Sequence, residues 1–130
     1  MYVLDTNTLI YFFKGKGRVA ERLLNEAPAD IAIPAVVVFE LQTGIAKSNS
    51  PRKRTQQLKS LLEAVKVLPF STAEADASAV IRAQLEKKGT PIGPYDVLIA
   101  GTALAQQATL VSHNLVEFKR VKNLKTVDWF

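Results

Sequence analysis

Short apolar runs alternate with longer amphipathic segments along the whole chain, and this alternation restricts the possible folds more than any other feature. Strands that alternate with helices are typical of α/β proteins, because each helix carries the chain back so that the next strand runs parallel to the last. We therefore predict an α/β fold with a mainly parallel sheet flanked by helices. The predicted strands are residues 2–4, 31–33, 67–70, 109–112 and 125–127.

Capping residues predict where the helices begin and end. Ser71 with Glu74 three residues later makes a capping box, and Gly89 ends the helix that it opens. Pro94 after Gly93 suits the first turn of another helix, which we expect to run to about residue 107. One further helix is predicted to begin after Asp5 and to stop at Gly15, and a short helical turn is predicted to end at Phe118. Three more helices are predicted over residues 18–27, 34–47 and 52–65. The predicted inner face of the helix after Ser71 consists of Ala77, Val80, Ile81 and Leu85.

Length and composition indicate one folded unit without covalent cross-links. The 130 residues, 48% of them hydrophobic, suffice for one core, so we expect a single domain over residues 1–130. The absence of cysteine excludes disulfides and makes a reducing cytoplasm the simplest location, while a single histidine excludes a multi-histidine metal centre in one chain. We expect no signal peptide, because Met1 is followed by neither a basic segment nor a long apolar run. We expect no membrane span, because the longest uncharged run, residues 97–116, contains too many polar residues.

Asp96 is an acid on an otherwise apolar helix face. Val97 and Ala100 lie one and four residues after it, and no Lys or Arg occurs between Lys88 and Lys119. Burying a carboxylate is costly unless a positive charge meets it. A single acid near a helix N-terminus is also explained by the helix dipole, so a functional interpretation depends on other acids of the same kind.

Two further acids have the same character. Glu40 lies on an apolar helix face with Val36 one turn before it, and its nearest downstream base is Lys47. Gly44, one turn after Glu40, would let a substrate or another backbone approach closely. A buried Glu40 bonded to backbone N–H groups remains an alternative. Asp5 follows the first predicted strand, at the end of a parallel sheet where ligands bind, although capping the next helix also explains it.

Three carboxylates gathered at one edge of a sheet would repel one another. A hard divalent cation would relieve both this repulsion and the cost of burial, and all-oxygen ligation with retained waters suits Mg²⁺ or Mn²⁺. Such an ion can orient a phosphodiester, help to generate hydroxide and stabilise the leaving oxygen. Asp5, Glu40 and Asp96 together therefore predict a magnesium or manganese site that serves phosphodiester chemistry.

Basic residues outnumber acidic ones and occur in clusters. The chain has 17 Lys and Arg against 12 Asp and Glu, a net charge of +5. Such a surface attracts phosphate backbones, although solvated charges that aid solubility explain it equally well. The clusters are Lys14, Lys16, Arg18 and Arg22, then Arg52, Lys53 and Arg54, and finally Lys119, Arg120 and Lys122.

Four motifs follow one another in a distinctive order: Leu4-Asp5-Thr6-Asn7, Phe39-Glu40-Leu41 with Gly44, residues 91–100, and Asn114-x-x-Glu117-Phe118-x-Arg120-Val121 with Leu124 and Asp128-Trp129. Together they resemble the PIN-domain ribonucleases, and more narrowly the VapC toxins of bacterial toxin–antitoxin pairs, over the whole chain. The resemblance implies a three-layer α/β/α sandwich with a mainly parallel sheet. It also implies an endoribonuclease that depends on Mg²⁺ or Mn²⁺.

The resemblance further implies site residues, a substrate and partners. By position, Asp5, Glu40 and Asp96 correspond to the metal-binding catalytic acids of the family. A cognate VapB-like antitoxin that wraps the toxin and blocks its site is implied, as is a homodimer. Residues 91–96 are similar to those of the branch that cuts tRNA in the anticodon loop, which makes tRNA the preferred substrate.

The chain departs from the family pattern after the fourth predicted strand. Many PIN domains have a fourth acid where this chain has Asn114. Either Glu117, one turn later, supplies the missing charge, or Asn114 holds a metal-bound water. The number of ions is open for this reason, and both residues are candidate catalytic residues.

Several polar neighbours are candidates for positioning the substrate. Ser112 and His113 stand where related toxins often have threonine and asparagine. We expect Ser112 to contact metal-bound water or phosphate, and His113 to face solvent or substrate. Thr6 and Asn7 are expected to orient Asp5 and the substrate phosphate.

Other acid-rich α/β sites fit less well. A receiver-like phosphoacceptor needs paired acids after the first strand and a haloacid-dehalogenase-type phosphatase needs Asp-x-Asp, whereas Thr6 and Asn7 follow Asp5 here. A Ser–His–Asp hydrolase is disfavoured because Ser112 and His113 are adjacent and no Gly-x-Ser-x-Gly elbow occurs. The remaining alternative is a catalytically inactive PIN fold that binds RNA or protein. Such proteins usually lose one or more of the three acids, and this chain keeps all three.

Overall fold

Five short parallel strands form one sheet at the centre of the structure, a computed structural model that describes residues 1–130. The order across the sheet is β3-β2-β1-β4-β5, and every pair of neighbours is parallel. The predicted α/β fold is therefore confirmed, and the sheet is wholly rather than mainly parallel. The strands are β1 (Tyr2–Leu4), β2 (Ile31–Pro34), β3 (Lys66–Leu68), β4 (Thr109–Val111) and β5 (Lys125–Val127).

Seven helices cover the two faces of this sheet. They are α1 (Thr6–Lys14), α2 (Val19–Leu24), α3 (Ala35–Ala46), α4 (Pro51–Ala64), α5 (Thr72–Lys87), α6 (Pro94–Ala105) and α7 (Leu115–Phe118). From the central strand β1, the chain adds β2 and then β3 on one side. It then returns to the other side of β1, where it adds β4 and then β5. Because such crossovers are right-handed, α1 to α4 lie on one face and α5 to α7 on the other, which gives three layers. None of the helices has the length and apolar character that a bilayer crossing requires.

The central strands supply most of the core. Val3 and Leu4 of β1 and Leu110 and Val111 of β4 are fully buried, as is Ile33 of β2. Strands covered on both faces are apolar at consecutive positions rather than at alternate ones, which is the pattern seen here. Burying each such side chain contributes about 1.5–3 kcal/mol, so the middle of the sheet is the rigid base on which the carboxyl-end residues stand.

Most helix ends agree with the capping residues, with two differences. Glu74 Oε1 accepts from the backbone N–H of Ser71 at 2.8 Å, which confirms the capping box. Pro34 was predicted to open a helix, but it is the last residue of β2 and the N-cap of α3, with an extended backbone. The helix predicted over residues 18–27 ends at Leu24, and a 3₁₀ turn over Pro28–Asp30 leads into β2.

Val80, predicted on the inner face of α5, is 56% exposed. The helix instead buries Glu74, Ser78, Ile81 and Leu85, in steps of four, three and four residues. Val80 lies one residue before Ile81, about 100° around the helix, and therefore outside this buried stripe. The prediction for Val80 was wrong because two small or polar residues take places on the stripe that apolar residues usually fill.

Helices α5 and α6 approach closely where Ser78 faces Gly101. A Cβ atom on Gly101 would overlap Ser78 Oγ and lie 2.9 Å from Ser78 Cα. Real Cβ contacts are longer than this, so only glycine fits at position 101 with the helices at their present separation. Ser78 Oγ is buried without a hydrogen-bond partner, which is a cost that the close packing of the two helices has to offset.

We predict that Gly101→Ala lowers the free energy of unfolding by about 1–3 kcal/mol, because α5 and α6 must move apart to admit the methyl group. Gly44→Ala in α3 is the matched control, since nothing lies within 4 Å of a Cβ atom there. The control should stabilise the protein by up to about 1 kcal/mol through helix propensity. Urea denaturation of both variants makes the measurement, and equal stability of the two would contradict the prediction.

Candidate active site

Asp5 lies at the carboxyl end of β1 and caps α1. Its Oδ1 atom accepts a hydrogen bond from the backbone N–H of Thr8 at 2.9 Å. Its own backbone N–H donates to the carbonyl oxygen of Val111 at 3.2 Å, and the Thr8 hydroxyl donates to the same carbonyl at 3.2 Å. The acid is therefore fixed between the central strand and its neighbour β4.

Burial raises the pKa of Asp5 above its ordinary value. Hydrogen bonds from Ser112 and Thr8 lower this pKa in part, and the charge of Asp128 raises it further. Ser112, which is fully buried, directly follows β4, so the pairing of β1 with β4 places it beside Asp5. An ionised Asp5 is thus held at an energetic cost that a cation would relieve.

Glu40 is half-buried on α3 and is held by a residue of α1. The hydroxyl of Thr6 donates to Glu40 Oε1 at 2.7 Å. Thr6 was expected to orient Asp5, but it is Thr8 that binds Asp5, because the backbone N–H of the third helical residue points back at the N-cap. Asn7 is exposed on the same helical turn, and its expected role toward a substrate phosphate stays a prediction.

Asp96 lies in the first turn of α6 and responds to the other acids. Its pKa is raised to about 6, first by burial and then by the charges of Asp5, Glu117 and Glu40. No hydrogen bond acts in the opposite direction. Because the charges of these three carboxylates raise the pKa of Asp96, the fold must bring all four acids into one neighbourhood.

Asn114 and Glu117 complete this neighbourhood. The Asn114 side-chain amide donates to Glu117 Oε2 at 2.9 Å, and the Asn114 backbone N–H donates to Ser112 Oγ at 2.9 Å. Asn114 therefore orients a carboxylate whose charge reaches Asp96. The contacts place both residues beside the other acids, while their roles in catalysis stay predictions.

None of the predicted acids has a basic partner. The ion pairs of the structure are Arg18–Glu21, Arg82–Glu86 and His113–Asp128. No three acids lie close enough in this arrangement to hold one ion directly between them. The set nevertheless consists of the oxygen donors that Mg²⁺ and Mn²⁺ prefer, and Mg²⁺ usually keeps several waters that can bridge to carboxylates. The donor chemistry therefore fits a hydrated hard cation.

Two residues of this neighbourhood are absent from the sequence-based predictions. Thr8 could have been found, because an N-cap acid binds the backbone N–H two or three residues later. Asp128 was noted only as part of the motif with Trp129, whereas its carboxylate contacts His113 at 2.8 Å and raises the pKa of Asp5. No local signal predicts that contact, since it depends on the pairing of β4 with β5.

A groove of about 300 Å³ lies beside Glu40, where α1, α3 and α4 meet. Gly44 forms part of its wall, and nothing lies within 4 Å of a Cβ atom there, so the space above this glycine is open. The groove combines apolar walls with two basic residues. Its lining is Ile10, Phe13, Lys14, Glu40, Leu41, Gly44, Ile45, Ser48 and Arg54.

This fold and arrangement of acids define a PIN domain, and the family model described as PIN domain matches residues 2–124. The chain is 34% identical to the tRNA(fMet)-specific endonuclease VapC of Salmonella typhimurium, over 98% of this chain and 97% of that protein. It is 37% identical to ribonuclease VapC2 of Rickettsia felis, over 99% of this chain and 98% of that protein.

Solved structures agree with this assignment. VapBC2 from Rickettsia felis bound to a promoter DNA fragment has a TM-score of 0.92 and 36% identity, covering 99% of this chain and 98% of that one. DNA-bound VapBC from Salmonella typhimurium has a TM-score of 0.93 and 34% identity with the same coverage. The chain therefore belongs to the VapC family of PIN-domain ribonuclease toxins from VapBC toxin–antitoxin systems.

The raised pKa of Asp96 predicts how stability depends on pH. Because this pKa is about 6 in the folded protein and near 3.8 in an unfolded chain, the folded state binds more protons between these values. The contribution of Asp96 to stability therefore falls as the pH rises through this window. In a chelating buffer, Asp96→Asn should raise the melting temperature at pH 8 and lose most of this gain at pH 4.

Asp76→Asn, which alters an exposed acid on α5, is the matched control for this measurement. It should change the melting temperature little at either pH, because an exposed carboxylate is well solvated. Equal gains for Asp96→Asn at pH 4 and pH 8 would contradict the electrostatic explanation.

Proposed function

We propose that this chain is the toxin of a toxin–antitoxin pair and acts as a Mg²⁺- or Mn²⁺-dependent endoribonuclease, with tRNA, cut in its anticodon loop, as the preferred substrate. The observation that carries the proposal is that Asp5, Glu40 and Asp96 lie near enough for their charges to interact, while none of them has a basic partner. These acids come from three separate elements, and holding them together opposes folding. Such an arrangement is typical of catalytic and metal sites.

Asp5, Glu40 and Asp96 are the residues that would hold the ion. When bound, the ion would orient the phosphodiester, help to generate hydroxide and stabilise the leaving oxygen. The chain prepares this site by fixing two of the three acids. Thr8 holds Asp5 through its backbone N–H, and Ser112 lies beside it at the end of β4. Thr6 holds Glu40 through its hydroxyl, so both acids are oriented before the ion binds, and waters kept by the ion would bridge the remaining gaps.

Four polar residues are assigned supporting roles. Glu117, oriented by Asn114, supplies a fourth carboxylate in place of the acid that many PIN domains have at the Asn114 position. Asn7 is assigned to the substrate phosphate, from the exposed first turn of α1. Ser112, which was expected to contact metal-bound water or phosphate, is fully buried beside Asp5, so its assigned role is to support that acid.

The preference for tRNA rests on two supports. The relative from Salmonella typhimurium is a tRNA(fMet)-specific endonuclease and is 34% identical over nearly the whole length. The net charge of +5 makes the surface basic overall, which suits an RNA with a dense phosphate backbone. Initiator tRNA is therefore the first substrate to test.

A protein partner is also proposed. The similar structures from Rickettsia felis and Salmonella typhimurium are VapBC assemblies, and we infer a cognate VapB-like antitoxin for this chain. The groove beside Glu40 suits a partner segment, because its apolar walls favour binding and the catalytic acid at its edge would be covered. A homodimer, and a hetero-oligomer with the antitoxin, are the proposed assemblies.

The decisive experiment maps cleaved ends in total RNA treated with the wild-type chain or with Asp96→Asn. We expect new ends in the anticodon loop of a single tRNA with the wild-type chain and Mg²⁺ or Mn²⁺. Excess chelator, Asp96→Asn and Asp5→Ala should each lower the cleavage rate by more than about 100-fold, because each removes the ion or one of its ligands.

Circular dichroism provides the control for this experiment. Asp5→Ala should keep the fold, because the relief of repulsion and burial cost offsets the loss of the N-cap hydrogen bond to Thr8. Cleavage that continues unchanged in excess chelator would overturn the metal mechanism. A folded chain that binds RNA without cutting it would instead support the alternative, a catalytically inactive PIN fold.

Thr6→Val should lower kcat by about 10- to 100-fold with little change in KM, because the valine cannot donate to Glu40 and leaves that acid unoriented. Thr6→Ser keeps the hydroxyl and should retain most activity. Thr43→Val is the matched control, since the Thr43 hydroxyl donates only to the Phe39 carbonyl oxygen on an exposed face of α3. Equal kcat values for Thr6→Val and Thr43→Val would contradict the assignment.

A further inference from the structure

Three aromatic rings form a partly exposed cluster beside the acids, which we call the aromatic shelf: Tyr11, His113 and Phe130. The His113 ring stacks on Phe130, with centroids 4.3 Å apart and planes 22° apart. Tyr11 meets both rings edge-on, at 5.9 Å and 4.9 Å. The His113 side chain is 46% exposed and Phe130 is 42% exposed, so ring surface is open to solvent.

The shelf is held by several specific contacts. One carboxylate oxygen of Asp128 bonds His113 Nδ1 at 2.8 Å, and the other accepts from the backbone N–H of Phe130 at 2.8 Å. The Phe130 carbonyl oxygen accepts from the backbone N–H of Arg18 at 2.7 Å. Gly17, with φ of +62°, permits this approach, since a Cβ atom there would lie 2.7 Å from the Phe130 carbonyl oxygen. Exposed rings fixed in this way lose little entropy on binding.

The shelf adjoins both the acids and a source of positive charge. His113 directly follows Ser112, a buried residue that the pairing of β1 with β4 places beside Asp5. The pKa of Asp128 is raised by its partial burial and lowered by hydrogen bonds from Phe130 and His113 and by the charge of Arg22, with a net lowering. Arg22 lies one helical turn after Arg18, whose backbone N–H bonds Phe130, so its charge is close to the shelf.

We propose that the aromatic shelf stacks one unpaired nucleobase of the RNA strand, next to the phosphodiester held at Asp5. The inference rests on the proposed ribonuclease function and names a substrate-positioning element of the same site. Proteins that bind single-stranded RNA combine exposed aromatic rings with nearby cations, since the rings take the bases and the cations take the backbone. His113 and Phe130 provide the rings here, and Arg22 provides the cation.

The test uses a synthetic RNA hairpin with the anticodon stem-loop of initiator tRNA, and a set in which each loop nucleotide in turn is abasic. Affinity is measured by fluorescence anisotropy with the Asp96→Asn chain, so that no RNA is cut. One abasic position should lower affinity by roughly 5- to 100-fold. His113→Ala should lower affinity for the intact hairpin by a similar factor and remove the penalty at that position.

His113→Phe distinguishes stacking from hydrogen bonding, because phenylalanine stacks but cannot bond Asp128. It should keep both the affinity and the position-specific penalty. Val67→Ala is the control, since Val67 is 40% exposed on β3, at the opposite edge of the sheet from β5, and should change neither quantity.

Three results would overturn the inference. In the first, the abasic penalty persists unchanged in His113→Ala. In the second, the hairpin binds no variant at all. In the third, His113→Ala binds RNA normally but escapes inhibition by the antitoxin, which would make the shelf a protein-docking surface.

Cleavage of the intact hairpin by the wild-type chain is scored separately. If the wild-type chain cuts the hairpin but no abasic position lowers affinity, only this inference is overturned. If one abasic position lowers affinity but the hairpin is not cut, only the proposed function is overturned.

Discussion

Repulsion among carboxylates at the carboxyl edge of the sheet is the constraint to which the rest of the structure is adapted. The raised pKa of Asp96, about 6, reflects its burial and the charges of Asp5, Glu117 and Glu40. No basic side chain of the protein relieves this repulsion. A hydroxyl and a backbone N–H fix Glu40 and Asp5 instead. These donors hold the oxygens in place without neutralising them, so the site keeps its attraction for a cation.

The parallel sheet makes this arrangement possible. β1 lies in the middle, so Asp5 at its carboxyl end is flanked by residues that follow β2 on one side and β4 on the other. The α3 helix that begins directly after β2 carries Glu40, and Ser112 directly follows β4. Neighbouring parallel strands end at the same edge, and this geometry gathers acids that are far apart in the sequence.

Features that depend on local chemistry could be predicted from the sequence, and features that depend on side-chain geometry could not. The alternation of strands and helices, and the lack of bases around Glu40 and Asp96, can be recognised in short segments. Thr6 and Thr8 lie on one helical turn, so only the folded backbone decides which of them meets Asp5 and which meets Glu40. The pairing of His113 with Asp128 likewise required knowledge of the neighbouring strand.

The link between Asp5, Thr8 and Val111 has a consequence for the time at which the protein becomes active during its synthesis. The Thr8 hydroxyl and the Val111 carbonyl are separated by 103 residues, and β1 cannot pair with β4 before that length has left the ribosome. Folding that depends on such distant contacts is slow to begin. The nascent chain therefore carries Asp5 and Glu40 through most of translation without an assembled site, which forms only after α6 and β4 have emerged.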